Sequence, residues 1–250
     1  MVKAFVTCLV MLAVTRPALA AEALIAVAAN FSALAERLEV EFESRTDHDI
    51  TIAIGSTGSL YAQIRNGAPY DVFLAADQER PTLLEKSGNA VDGSRFTFAE
   101  GRLALWSADG SLIKADLQTT LRQHEIHALA LANPALAPYG NASREALQSL
   151  GVWDSVRDKV VMGQNVGQVY ALIATGNAQA GFVALSQLIS GDQAPGIAYL
   201  PVPRKLHAPI YQDAVLLRHG RQNMAAIDFL AFLQSSDARD AISSNGYGVN

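Results

Sequence analysis

Four short loops in this chain carry the residue types that can hold an anion without a formal charge. They are Ala28-Ala29-Asn30-Phe31, Gly55-Ser56-Thr57-Gly58-Ser59, residues 134–140 with their Ala137-Pro138-Tyr139-Gly140 end, and Gly163-Gln164-Asn165-Val166-Gly167. Each precedes a helical pattern. The first turn of a helix leaves backbone N–H groups unpaired and carries positive partial charge, so several such turns meeting at one point would make an anion site. None of the four loops contains Lys, Arg, His, Asp or Glu. The donors on offer are the hydroxyls of Ser56, Thr57 and Ser59, the Asn30 amide, and backbone N–H groups. No carboxylate stands ready to accept a proton from the ligand. That favours a fully deprotonated dianion such as sulfate, molybdate or tungstate over monohydrogen phosphate, whose O–H needs an acceptor. The same residue types also serve as N-caps and turn formers, and whether the loops converge decides between the two roles.

Other chemistry finds less support. The glycine-rich loop at 55–59 lacks the lysine of a phosphate-binding P-loop and does not match the Gly-x-Ser-x-Gly elbow of hydrolases. His124 and His127 stand three apart with no cysteine or carboxylate pattern beside them, which reads as a surface or packing pair. Asp71 and Asp77 flank a strand-like run and read as solvated strand-end or capping carboxylates. An exported hydrolase of phosphate or sulfate esters would need a nucleophile or metal set that the sequence does not offer. The expectation is a binding protein with no catalytic residues and no cofactor.

The loops need elements to position them. Apolar runs at 24–29, 50–54, 71–75, 102–106, 128–132 and 159–162 alternate with amphipathic stretches, which predicts parallel sheets covered by helices, the doubly wound α/β class. A continuous run such as 24–29 fits a strand buried on both faces. Phe31, Leu34, Leu38 and Phe42 recur at helical spacing after the first run, as do Leu60 and Ile64 after the second. In such folds ligands sit beyond the carboxyl ends of strands, where these loops lie.

The ends and composition set the context. Lys3, an apolar stretch over 4–14 and Ala18-Leu19-Ala20 predict a cleavable signal peptide at 1–20 and export to the periplasm. That stretch falls short of the roughly 18 residues a membrane span needs. Cys8, the single cysteine, lies inside the segment to be removed, so no disulfide or thiolate chemistry is expected. Without Lys3 and Arg16 the chain carries 17 basic against 24 acidic residues, a net charge of −7 that disfavours nucleic acid and anionic membrane surfaces. Turn formers at 88–94, 191–196 and 201–209 suggest a first lobe from 21–100 plus 207–250, with 101–206 as an inserted second lobe. The chain would return through 211–217 and finish near a helix at 224–233.

The sequence resembles the periplasmic molybdate-binding proteins of ABC importers across essentially the whole mature chain. The resemblance rests on Ala28-Ala29-Asn30, the segment from Gly55 to Ile64, the segment from Gly67 to Asp77, Ala132-Asn133-Pro134, Pro138-Tyr139-Gly140, Gln164-Asn165-Val166 and Ala180-Gly181-Phe182-Val183. It implies two α/β lobes joined by a hinge, with molybdate or tungstate in the cleft and the closed form docking on the transmembrane subunits of an ABC permease. A receptor for sulfate or another tetrahedral oxyanion is the alternative on the same scaffold. Carried over by position, the resemblance implies ligand contacts from Asn30, Ser56, Thr57, Tyr139 and Val166, with Ala29 beside them. Tyr139 and Val166 would act through their backbone N–H groups. Where some members carry a tyrosine after the Gly181-Phe182-Val183 strand, this chain has Ala184, and the Asn30 side of the site stands in for that contact. A monomer is expected.

Overall fold

The computed structural model of this chain describes residues 20–189 and 198–249. The expected signal segment through residue 19 and the turn-rich stretch 191–196 lie outside the described residues.

The apolar runs become strands, and they assemble into two five-stranded sheets. The first has the order β2-β1-β3-β10-β4, from Asp49–Gly55, Glu22–Ala28, Val72–Leu74, Ile210–Leu216 and Phe96–Gly101. The second has the order β7-β6-β8-β5-β9, from Val160–Gly163, Leu129–Ala132, Ala180–Ala184, Leu103–Trp106 and Tyr199–Pro201. Helices α1 (Ser32–Arg45), α2 (Thr57–Arg65), α3 (Glu79–Lys86), α9 (Met224–Leu233) and α10 (Ser236–Ser244) belong with the first sheet. Helices α4 (Leu117–Leu121), α5 (Pro138–Ser149), α6 (Trp153–Val156), α7 (Val166–Ala174) and α8 (Ser186–Ile189) belong with the second.

The sequence predicts parallel sheets, but both sheets are mixed. In the first, β10 runs against its neighbours β3 and β4; in the second, β5 runs against β8 and β9. The chain path gives the reason. It leaves the first sheet at the carboxyl end of β4, Gly101, and enters the second at Leu103; it returns from β9 at Pro201 to β10 at Ile210. A strand entered from the cleft side must run away from the cleft, opposite to the parallel strands, whose carboxyl ends face it. The apolar pattern of 102–106 marks a buried strand but carries no direction.

Packing follows the predicted periodicities. Phe31, Leu34, Leu38 and Phe42 are buried against Ile25, Val27 and Phe229, and Leu60 and Ile64 pack on the other face with Ala26 and Phe73. The second lobe's core joins Leu105, Leu131, Phe182, Val169 and Ile173, and it reaches across the cleft to Ala28 and Ala76. Covering both faces of β1 explains its unbroken apolar run.

Asp71 differs from its expected role as a solvated carboxylate. It is buried, accepts the Leu24 N–H at 2.8 Å and pairs with Nδ1 of His219 at 2.7 Å, so it staples the start of β3 to β1. Asp77 caps α3 by accepting the Arg80 N–H at 3.0 Å, and its carboxylate pairs with the Arg80 guanidinium. His124 and His127 are exposed.

Candidate oxyanion-binding site

The four loops meet. Ala28, Ala29 and Asn30 from the end of β1, Ser56 and Thr57 from the end of β2, and Ala76 after β3 form one wall of a small cavity. Ala137, Pro138 and Tyr139 at the start of α5, with Asn165 and Val166 at the start of α7, form the opposite wall. All six residues singled out from the sequence, Ala29, Asn30, Ser56, Thr57, Tyr139 and Val166, line it. Among the described residues none that lines this cavity is charged.

Local sequence explains how each loop presents donors. Ser56 is the N-cap of α2 and its Oγ accepts the Ser59 N–H at 3.1 Å. Asn165 caps α7 in the same way, accepting the Gln168 N–H at 3.0 Å. Pro138 opens α5, where its missing N–H is no loss and its fixed φ suits the first turn. Thr57, Tyr139 and Val166 therefore stand at the first or second position of a helix, where a backbone N–H has no partner within that helix. Asn30 occupies a 3-10 turn, Ala29–Phe31, that leads into α1. Four helical N-termini thus point positive partial charge at one cavity.

The side chains divide into donors and scaffolding. Thr57 Oγ1 accepts the Ala76 N–H at 3.1 Å, which leaves its own hydrogen to donate. The Ser59 hydroxyl is engaged with Ser56 Oγ at 2.7 Å and does not line the cavity. The sequence suggests the Asn30 amide as a donor, but its Nδ2 faces Gln212 Oε1 at 2.9 Å and Tyr247 Oη at 3.4 Å. What Asn30 has left for the cavity is its backbone N–H. The Tyr139 hydroxyl accepts from Gln212 Nε2 at 3.3 Å, away from the backbone group that concerns the site. Burial pushes the Tyr139 and Tyr247 hydroxyls well above the ordinary tyrosine range, so both stay protonated and neutral.

Gln212, Tyr247 and Ser186 escape the sequence reading because their partners lie 73 or more residues away. One signal was present. Gln212 and Asp213 are adjacent polar residues in an otherwise apolar strand, and both are fully buried.

The cavity is small, about 10 Å³ by the measure in which one water needs about 10 to 15 Å³. A compact solute in direct contact with the donors suits it, and a bulky organic one does not. A wider cleft of about 470 Å³ adjoins it at Ala76 and Pro138. That cleft is rimmed by Asp77, Glu79 and Glu145 together with Arg80, and the excess of carboxylates disfavours an anion. Burial raises the Asp77 carboxyl above its usual range, outweighing the opposing pull of Arg80.

Hydrogen bonds fasten the walls together across the cleft. The Gly58 N–H donates to the Leu136 carbonyl at 2.8 Å, and Arg80 Nη2 donates to the Ala135 carbonyl at 3.1 Å. The lobes are therefore closed around the cavity.

Known proteins share this arrangement along nearly its whole length. The bacterial extracellular solute-binding protein family matches residues 23–248. The molybdate-binding protein ModA of Azotobacter vinelandii is 43% identical over 230 residues, covering 92% of this chain and 91% of that protein. ModA of Rhodobacter capsulatus is also 43% identical, over 92% of this chain and 90% of its own. The solved periplasmic molybdate-binding protein of Azotobacter vinelandii superposes with a TM-score of 0.86 at 36% identity, covering 91% of this chain and 99% of that one. With closed lobes, an uncharged donor cavity and this depth of similarity, the chain belongs to the bacterial extracellular solute-binding proteins and, within them, to the periplasmic molybdate-binding proteins.

Proposed function

We propose that this protein captures molybdate in the periplasm, with tungstate as a second cargo, and delivers it to the transmembrane subunits of an ABC permease. The observation that carries this reading is the meeting of four helical N-termini at one small cavity with no charged lining. The anion replaces its hydration shell with the backbone N–H groups of Asn30, Thr57, Tyr139 and Val166 and the Thr57 hydroxyl. Ala29 and Ser56 shape the wall beside them. Each hydrogen bond to a charged partner contributes about 1.5 to 3 kcal/mol net, so five of them support tight binding after ordering costs.

Selection against sulfate is a matter of size. The longer metal–oxygen bonds of molybdate bring its oxygens to donors on both walls, where a smaller sulfate leaves stretched contacts. Tungstate, nearly the same size, is accepted too. No bond is made or broken. The chain acts as a monomer, each copy offering both lobes to the permease, and no described helix is long and apolar enough to cross a membrane.

Thermal unfolding of the chain from residue 21 checks this. Molybdate at about one hundred times its dissociation constant adds roughly 2.7 kcal/mol of stability, a rise of roughly 5 to 10 °C at this size. A rise with sulfate or phosphate and none with molybdate would refute the assignment of cargo.

A further inference from the structure

We propose that Gln212 is a positioning residue of the oxyanion site, acting through a buried hydrogen-bond chain that ties Asn30 and Tyr139, on opposite walls of the cavity, to strand β10. The proposal rests on the oxyanion reading above. Gln212 itself does not line the cavity.

The direction of the chain follows from its fixed end. Tyr247 Oη donates to the Asn30 backbone carbonyl at 2.6 Å, and a carbonyl can only accept, so the tyrosine hydrogen is committed there. The Asn30 side-chain atom 3.4 Å from that same oxygen must then be the NH₂. This NH₂ also meets Gln212, which must present Oε1 to it at 2.9 Å. Gln212 Nε2 is thereby turned toward Tyr139 and donates to its hydroxyl at 3.3 Å. Ser186, from the second lobe, adds an O–H to the Asn30 carbonyl at 3.2 Å. All five residues are buried. Reversing either amide would set acceptor against acceptor or donor against donor, so each residue has one orientation.

Two further observations place this chain at the closure of the cleft. The register of β10 against β4 shifts between Gln212 and Asp213, where Phe98 of β4 is passed over, a local break in pairing of the kind common beside functional sites. Gly101, at the crossing between the sheets, leaves room for the contact: a Cβ there would stand 2.2 Å from Tyr139 Oη and 2.7 Å from Gln212 Nε2. Tyr139 supplies its backbone N–H from the second lobe while its ring is held by the first. Gln212 therefore registers closure, and its loss should speed ligand release more than it slows capture.

The test is a double-mutant cycle with Gln212→Leu and Tyr139→Phe, each read by molybdate equilibrium binding, release rate and ligand-free melting temperature. Tyr139→Phe keeps the backbone N–H and serves if the leucine variant does not fold. The expected result is a dissociation constant raised fivefold or more in each single variant, carried by faster release, with the double variant no worse than the weaker-binding single. Unchanged affinity with a lowered melting temperature would reduce the chain to a structural role and overturn the proposal, as would strictly additive losses. A wild-type protein that binds no oxyanion refutes the underlying reading; wild-type binding with unaltered variants refutes this inference alone.

Discussion

In the proposed site Thr57 combines two roles in one side chain, because its oxygen accepts the Ala76 N–H while its hydrogen remains to donate. Thr57→Val removes both functions. Losing a donor to a charged ligand costs about 1.5 to 3 kcal/mol, so the molybdate dissociation constant should rise tenfold or more in equilibrium titration. The orphaned Ala76 N–H should lower the ligand-free melting temperature as well, and Thr57→Ser should restore most of both. Residues of this kind were legible in the sequence, since Ser, Thr, Asn and Gly before a helix announce donors wherever the helix later points. The Asn30 amide was not legible in its real role. Its partners Gln212 and Tyr247 stand 182 and 217 positions away, and no local pattern encodes such contacts.

At the scale of elements, strand β10 links the cleft to the stability of the first lobe. Beside Gln212 it carries Asp213, which is wholly buried and accepts from Thr97 Oγ1 at 2.6 Å, from Gln78 Nε2 at 3.2 Å and from the Arg95 guanidinium. Removing one partner of a buried pair strands a charge. Arg95 is a third exposed, which softens the effect. Arg95→Met should therefore lower the unfolding free energy by about 2 to 3 kcal/mol in a denaturant titration. The sequence marked the return segment and the helix at 224–233, which coincides with α9, because apolar spacing reports burial and period. It did not mark the reversal of β5 and β10 or the second terminal helix α10. Strand direction is set by which end of a sheet the chain enters, and that depends on the whole path.

Across the whole molecule, the proposed capture needs the two walls to stay in contact. Gly58 lies where the walls touch, and a Cβ there would stand 3.0 Å from the backbone of Leu136 across the cleft. Gly58→Ala should oppose closure while favouring helix α2 by up to about 1 kcal/mol. The expected signature is a molybdate dissociation constant raised about tenfold with the ligand-free melting temperature unchanged or higher, and weaker compaction by small-angle X-ray scattering at saturation.

The buried tyrosines add a pH dependence. Their folded-state values are raised, so the unfolded chain loses these protons first. Their contribution is complete below the ordinary tyrosine value of about 10 and declines as pH rises beyond it. Melting temperature should fall above about pH 10 in the wild type, and less steeply in Tyr247→Phe.

The proposed function requires this closed, uncharged cavity to select a tetrahedral oxyanion of molybdate size. Calorimetric titration of the chain from residue 21 with molybdate, followed by sulfate and phosphate at equal ionic strength, measures that selection. One molybdate should bind per chain, with sulfate and phosphate bound at least a hundredfold more weakly. No heat with molybdate, or sulfate binding as tightly as molybdate, would rule that selection out.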